Sequence, residues 1–177
     1  MRIIGGKLAG LRLNPPQNLP VRPTTDIAKE ALFNILNNRI DFEDKTCLDL
    51  FAGTGNITFE LASRGVASVD AVDLHGKCVF YISETAKKLG VTQVKTRKAD
   101  VFKYIKATKN SYDFIFADPP YDIGLLPQLA EFILNQGLLN PGGILVVEHP
   151  SARKLVENPY FVETRVYGNS SFSFYTI

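Results

Sequence analysis

Asp118, Pro119, Pro120 and Tyr121 are four consecutive residues whose types tightly restrict the chemistry they can do. Proline has no N–H and a fixed φ, so two in succession hold the nearby carbonyls in rigid directions and put no donor among them. With the Asp118 carboxylate they form an array of acceptors beside an aromatic face. An exocyclic amine on a planar base needs such an array, because its lone pair is delocalised into the ring. Acceptors that draw on both N–H groups help to localise that pair toward an electrophile. Tyr121 can stack on the base, a contact worth about 1–3 kcal/mol. A plain loop stop after a strand is the competing reading.

A second group of residues could hold the electrophile's carrier. Phe51-Ala52-Gly53-Thr54-Gly55-Asn56 is a glycine turn, and Asp73 lies 18 residues beyond Gly55. That is where a ribose-binding acid is expected in a dinucleotide fold. The turn departs from the dinucleotide fingerprint at its third glycine position, which is Thr58, and this disfavours a nicotinamide oxidoreductase. It lacks the Gly-Lys-Ser/Thr ending of a nucleoside triphosphate site. Asp49, just before the turn, would repel a diphosphate and suits an amino group or a positive charge. Asp73 can accept hydrogen bonds from a ribose diol, and Asp100 from an adenine amine. Each acid alone also reads as a helix cap or a surface charge.

These residues have value only if the fold brings them together. From Lys45 onward the chain alternates strand and helix. Strands are predicted at 46–51, 68–74, 93–98, 112–118 and 144–148, with helices at about 56–64, 76–89, 102–107 and 125–135. Mostly apolar strands in such alternation imply a parallel sheet covered on both faces. The strands at 161–167 and 171–176 flank Gly168-Asn169-Ser170 and read as an antiparallel hairpin. The expected fold is α/β, a doubly wound, mostly parallel sheet of seven strands. Ligands of such sheets bind beyond the carboxyl ends of the strands, where the strand order reverses. Asp49, the glycine turn, Asp73, Asp100 and Asp118 all fall near those ends.

The first 22 residues read as a separate basic unit. Arg2 to Ile4 and Leu11 to Leu13 form a short predicted hairpin around Gly5, Gly6 and Gly10. Pro15, Pro16, Pro20 and Pro23 then make a stiff linker. Residues 23–177 would form the main domain, opening with a helix from about Thr25 to Asn38. In that helix Ile27, Ala28, Ala31, Leu32, Ile35 and Leu36 recur at helical spacing and are expected to pack inward. Lys29, Asn34 and Asn37 are left for the outer side. Residues 1–40 hold six basic side chains (Arg2, Lys7, Arg12, Arg22, Lys29 and Arg39) against Asp26 and Glu30, although the whole 177-residue chain carries only +2. Such an edge could meet phosphates; a solvated face explains it equally well.

Other classes fall away. The longest run of hydrophobic residues is five, from Cys78 to Ile82, far below the ~18 of a membrane span. Cys47 and Cys78 lie in apolar runs and read as buried free thiols, which suits a reducing cytoplasm. With His75 and His149 the only histidines and no Cys-x-x-Cys pair, no metal is expected.

Leu48 to Asn56, Asp73, Asp100 and Asp118 to Tyr121 resemble the successive motifs of class I S-adenosylmethionine-dependent methyltransferases that act on amino nitrogens. The wider chain resembles the bacterial RsmD-type enzymes. Arg2-Ile3-Ile4-Gly5-Gly6-Lys7, Arg22-Pro23-Thr24-Thr25-Asp26, Glu30 to Leu36, Tyr167-Gly168 and Phe174-Tyr175 carry that likeness; Ile27 stands where the family usually has a basic residue. The resemblance implies methyl transfer from S-adenosylmethionine to the 2-amino group of one guanine in small-subunit (16S) ribosomal RNA. It implies that Asp49, Phe51, Gly53, Gly55, Asp73, Leu74, Asp100 and Val101 hold the cofactor. Asp118, Pro119, Pro120 and Tyr121 would do the chemistry, and Arg2, Lys7, Arg12, Arg22 and Lys29 would meet RNA. The expected partner is ribosomal RNA within a ribosomal particle, bound by a cytoplasmic monomer. The rival readings are an amino-methyltransferase for adenine in DNA or glutamine in a release factor, and an RNA-binding module without catalysis.

Overall fold

The computed structural model describes residues 1–22 and 24–177; Pro23, part of the expected proline linker, lies outside them. Five strands, β1 (Thr46–Leu50), β2 (Ser68–Asp73), β3 (Val94–Lys98), β4 (Tyr112–Ala117) and β5 (Leu139–Pro150), run parallel. β7 (Ser170–Thr176) pairs antiparallel with β5, and β6 (Phe161–Tyr167) closes the edge antiparallel to β7. The order is β3-β2-β1-β4-β5-β7-β6. The chain runs outward from β1 on one side and outward from β4 on the other, so the reversal falls between β1 and β4. This is the doubly wound sheet of seven strands expected from the sequence.

Strand alternation builds the two cores. Phe114, Phe116, Val146, Phe172 and Phe174 face one side, where Leu32, Phe33 and Leu36 of α1 (Asp26–Leu36) and Ile57 and Leu61 of α2 (Asn56–Ser63) pack on them. Ile115, Ala117, Leu145 and Val147 face the other, under Val101 and Ile105 of α4 (Val101–Ala107) and Leu129 and Ile133 of α5 (Leu129–Asn135). This is the period-2 logic of a strand buried on both faces. α3 (Gly76–Leu89) covers β2 and β3 and ends on Gly90 at φ 67°, the left-handed cap that glycine allows. Cys47 and Cys78 are buried free thiols.

Three expectations are corrected. β5 begins at Leu139, and the Pro141-Gly142-Gly143 stretch is accommodated inside it as a register shift rather than ending a loop before it. The amino-terminal hairpin forms, with Ile3 N–H donating to the Leu11 carbonyl at 2.9 Å and Leu13 N–H to that of Met1 at 2.8 Å, but as one bridge, Arg2 with Arg12, rather than as two full strands. The donors of the intervening turn go to α2: Ile4 N–H and Gly5 N–H each donate to the Glu60 carboxylate at 2.9 Å, and Leu8 N–H donates to Ser63 Oγ at 2.8 Å. A Cβ on Gly6 would lie 1.9 Å from the Ser63 carbonyl oxygen, so only glycine permits this approach to α2.

The third correction concerns α1, where Ile27 is 81% exposed and Lys29 is 0% exposed. Leu32, Phe33 and Leu36 lie at i+3, i+4 and i+7 from Lys29, which places it on the buried stripe despite its charge. Its ammonium donates to Asn56 Oδ1 at 2.8 Å and to the Arg2 carbonyl oxygen, and pairs with Glu60 at 3.2 Å. Lys29 therefore ties α1, α2 and the amino-terminal segment together and has no surface to offer RNA. Without Lys29 the buried Glu60 keeps only Arg64 and two backbone N–H groups, and breaking a buried pair typically costs about 3–5 kcal/mol. Lys29→Ala should lower the urea-unfolding free energy by about that much, whereas an exposed RNA contact at this position would leave it unchanged.

Candidate active site

The carboxyl ends of β1, β2 and β4 and the start of α4 surround one cavity of about 470 Å³. Asp49, Phe51, Gly53, Asp73, Leu74, Asp100, Val101, Asp118, Pro119, Pro120 and Tyr121 all line it, as does Arg22. Gly55 lies just outside, as the residue that starts α2. Arg2, Lys7 and Arg12 lie on the amino-terminal segment instead: Lys7 and Arg12 are exposed, and Arg2 is half-buried against Glu30 at 3.6 Å.

The turn after β1 is a strained piece of backbone. Phe51, Gly53 and Gly55 take φ of 60°, 57° and 80°. The two glycines adopt such angles readily, but Phe51 does so only because its surroundings hold it, a pattern that concentrates at functional sites. Asp73 provides part of that hold. Its Oδ2 accepts from Gly53 N–H at 2.9 Å and its Oδ1 from His75 N–H at 2.8 Å. Each carboxylate oxygen keeps further acceptor capacity for a ligand. Asp100 caps α4 by accepting from Lys103 N–H at 3.0 Å, so its capping role and its place on the cavity wall coexist.

Asp49 is 2% exposed, and no basic group pairs with it among the described residues. Thr58 Oγ1 donates to its Oδ2 at 2.6 Å, which gives the residue replacing the third fingerprint glycine a definite task. Burial pushes the Asp49 carboxyl up to about 7; the Thr58 hydrogen bonds pull it back in part, and nearby Asp73 raises it. A buried carboxylate of this kind gains most from a cationic ligand.

On the other side of the reversal, β4 and β5 pair in register with Ala117 opposite Val147. The next residues along, Asp118 and Glu148, are thereby neighbours. Burial drives both carboxyl groups above the ordinary range; at Asp118 the Glu148 charge adds to this and the Arg22 guanidinium opposes it. Glu148 is 1% exposed and accepts from Thr24 Oγ1 at 3.0 Å and from Ser170 Oγ at 3.1 Å. The Tyr121 hydroxyl lies 2.8 Å from the same Ser170 Oγ. Arg22, expected on an RNA-facing edge, lies over the Tyr121 ring, 3.4 Å from its centroid.

Sequence reasoning missed Glu148, Ser170 and Thr24, as well as the site role of Arg22. Glu148 carried a usable signal, being an acid at the end of a predicted strand like Asp73 and Asp118. The β4–β5 register and the fold of the 20–25 segment, which bring the others in, leave no comparable trace in residue types.

A reversal between β1 and β4, a glycine turn with acids after the flanking strands, and an antiparallel β7 between β5 and β6 define the class I methyltransferase fold. The yhhF protein of Escherichia coli shares it at a TM-score of 0.83 with 27% identity, over 99% of this chain and 96% of that one. Residues 1–176 match the family model described as Conserved hypothetical protein 95. Two relatives carry the name Ribosomal RNA small subunit methyltransferase D. The one from Buchnera aphidicola subsp. Baizongia pistaciae is 32% identical over 160 residues, covering 90% of this chain and 81% of the relative. The one from Haemophilus influenzae is 30% identical over 184 residues, covering 99% and 93%. The chain belongs to this family, the RsmD-type methyltransferases.

Because the Asp49 carboxyl binds its proton more tightly in the folded state than at the ordinary 3.8, it contributes stability that is complete below about pH 4. That stability is lost as pH rises through about 7, by up to about 1.4 kcal/mol per pH unit. Asp49→Asn should remove this loss. In urea titrations across that range the variant gains stability over the parent as pH rises, and above pH 7 the difference levels off.

Proposed function

We propose that this protein transfers a methyl group from S-adenosylmethionine to the exocyclic 2-amino group of a guanine in small-subunit ribosomal RNA. The observation that carries this reading is that the Asp118–Tyr121 acceptor array and the Asp49–Asp73–Asp100 row open on one cavity. The volume suits a nucleoside-sized ligand, and the buried, unpaired Asp49 carboxylate suits an ammonium group. On this reading Asp49 holds the cofactor's amino group and Gly53 allows close backbone approach, while Gly55 shapes the turn by fitting against Phe59 and Ile82. Asp73 accepts from the ribose hydroxyls, Asp100 and the Val101 amide meet the adenine, and Phe51 and Leu74 supply apolar walls. When bound, S-adenosylmethionine supplies a methyl group made electrophilic by its sulfonium.

The remaining work belongs to the chain. The Asp118 carboxylate and the Pro119 carbonyl accept the two amine N–H groups and so aim the nitrogen lone pair, and Tyr121 stacks on the ring. Orientation of this kind is worth up to about 7–11 kcal/mol in well-aligned cases. The alkylated nitrogen must shed a proton, and Asp118, with its raised affinity for protons, is the base in contact with it. The target base has to leave its stack to enter the cavity. Residues 1–22 act as the RNA-facing unit of a cytoplasmic monomer, using exposed Lys7 and Arg12 with Arg2 on the phosphates of a ribosomal particle; Arg22 joins them once it leaves Tyr121. No helix among the described residues is long and apolar enough to cross a membrane.

Ribosomal particles from a strain lacking the gene, incubated with the purified protein and labelled cofactor, should gain label on one small-subunit guanine at N2. Duplex DNA and a release factor, offered in parallel, should gain none; label on either of them instead would refute the assignment. Asp118→Ala should cut transfer by at least about a hundredfold while calorimetry finds cofactor affinity nearly unchanged. Asp73→Ala should show the reverse order, with cofactor affinity falling first.

A further inference from the structure

The Arg22 guanidinium lies over the Tyr121 ring, and its Nη2 reaches Asp118 Oδ1 at 3.4 Å and Glu148 Oε1 at 3.5 Å. A planar N–H donor stacked on that ring and shared by two carboxyl groups occupies the place where the proposed reaction needs its base. The likeness is chemical. The N1–C2–N2 edge of guanine is itself a guanidine fragment, flat, with N–H donors on neighbouring nitrogens. Adenine presents an amine beside an acceptor nitrogen, and 2-aminopurine keeps the 2-amino group of guanine but has an acceptor at N1.

Glu148 is fixed for such a contact. Thr24 Oγ1 and Ser170 Oγ each hold one of its oxygens, and Ser170 also lies within hydrogen-bond distance of the Tyr121 hydroxyl. The carboxylate is thereby held relative to the stacking ring. What covers it is Arg22, whose side chain is 47% exposed.

We infer that Glu148 is a specificity-determining residue: a base that replaces Arg22 on Tyr121 gives its 2-amino N–H to Asp118 and its N1–H to Glu148. A base with an acceptor at N1 sets that lone pair against a carboxylate and is refused. This rests on guanine N2 being the target, and it adds what selects guanine there.

The test uses ribosomal particles reconstituted on RNA carrying either guanine or 2-aminopurine at the mapped position, with transfer rates measured for the parent protein and for Glu148→Gln. The glutamine keeps the volume and can turn an N–H toward N1 of 2-aminopurine. The guanine-to-2-aminopurine rate ratio should fall at least about tenfold in the variant, the scale of one hydrogen bond to a charged group. Cofactor affinity by calorimetry should be unchanged. Glu148→Asp, which withdraws the acceptor by one methylene, should also lower the ratio and serves if glutamine is not tolerated. An unchanged ratio in both variants, with both bases slowed alike, overturns the inference and leaves the methyltransferase reading intact. Failure of the parent protein to label guanine at all would instead strike the proposed function.

Discussion

The parallel pairing of β1 with β4, in register from Cys47 opposite Phe114 to Leu50 opposite Ala117, is the constraint on which the site depends. It sets the turn after β1 and the loop after β4 side by side at the one place where the chain turns from winding one way to winding the other. Among the described residues no helix covers the gap between their ends, so a cavity opens there by topology. Asp49 enters from within β1, Asp73 from the end of the neighbouring strand, and Asp118 from just beyond β4. A shift of one residue in this pairing would exchange the faces of the β4 side chains and force Phe114 and Phe116 into the opposite core, in the places of Ile115 and Ala117. The same packing that stabilises the sheet therefore fixes where the carboxyl groups stand.

Carboxyl groups gathered in this way are expensive to hold. Among the described residues Asp49 has Thr58 as its one hydrogen-bond partner, and Asp118 and Glu148 crowd one another with one guanidinium between them. Their raised proton affinities record that expense. Structural acids elsewhere in the molecule are treated differently. Glu60, equally buried, receives two backbone N–H groups, Lys29 and Arg64. Asp113 receives Thr46 and Asn140 and is held below the ordinary range despite its own burial. The contrast between compensated and uncompensated acids separates scaffold from site.

Much of this was legible in the residues. The alternation of apolar strands with helices gave the sheet, and the glycine turn and Asp118–Tyr121 marked its two functional loops. What stayed hidden depended on partners remote in the chain. Lys29 looks like a surface residue until Glu60 and Asn56, about 30 positions away, supply its compensation. Arg2 to Leu13 look like a free-standing hairpin, because nothing in their composition shows that Ile4, Gly5 and Leu8 give their backbone N–H groups to Glu60 and Ser63. Arg22 looks like part of a basic edge, yet it folds onto Tyr121 because two carboxyl groups attract it. Glu148 was readable as an acid at a strand end, but its nearness to Asp118 follows only from the β4–β5 register, which a shift near Pro141-Gly142-Gly143 alters.

A crystal structure of the protein with S-adenosylhomocysteine tests the arrangement most directly. The account predicts the amino-acid end of that molecule at Asp49, its ribose at Asp73, its adenine beside Asp100 and Val101, and its sulfur turned toward Asp118 and Pro119. A nucleoside bound outside this cavity, or a sulfur facing away from Asp118, would contradict it.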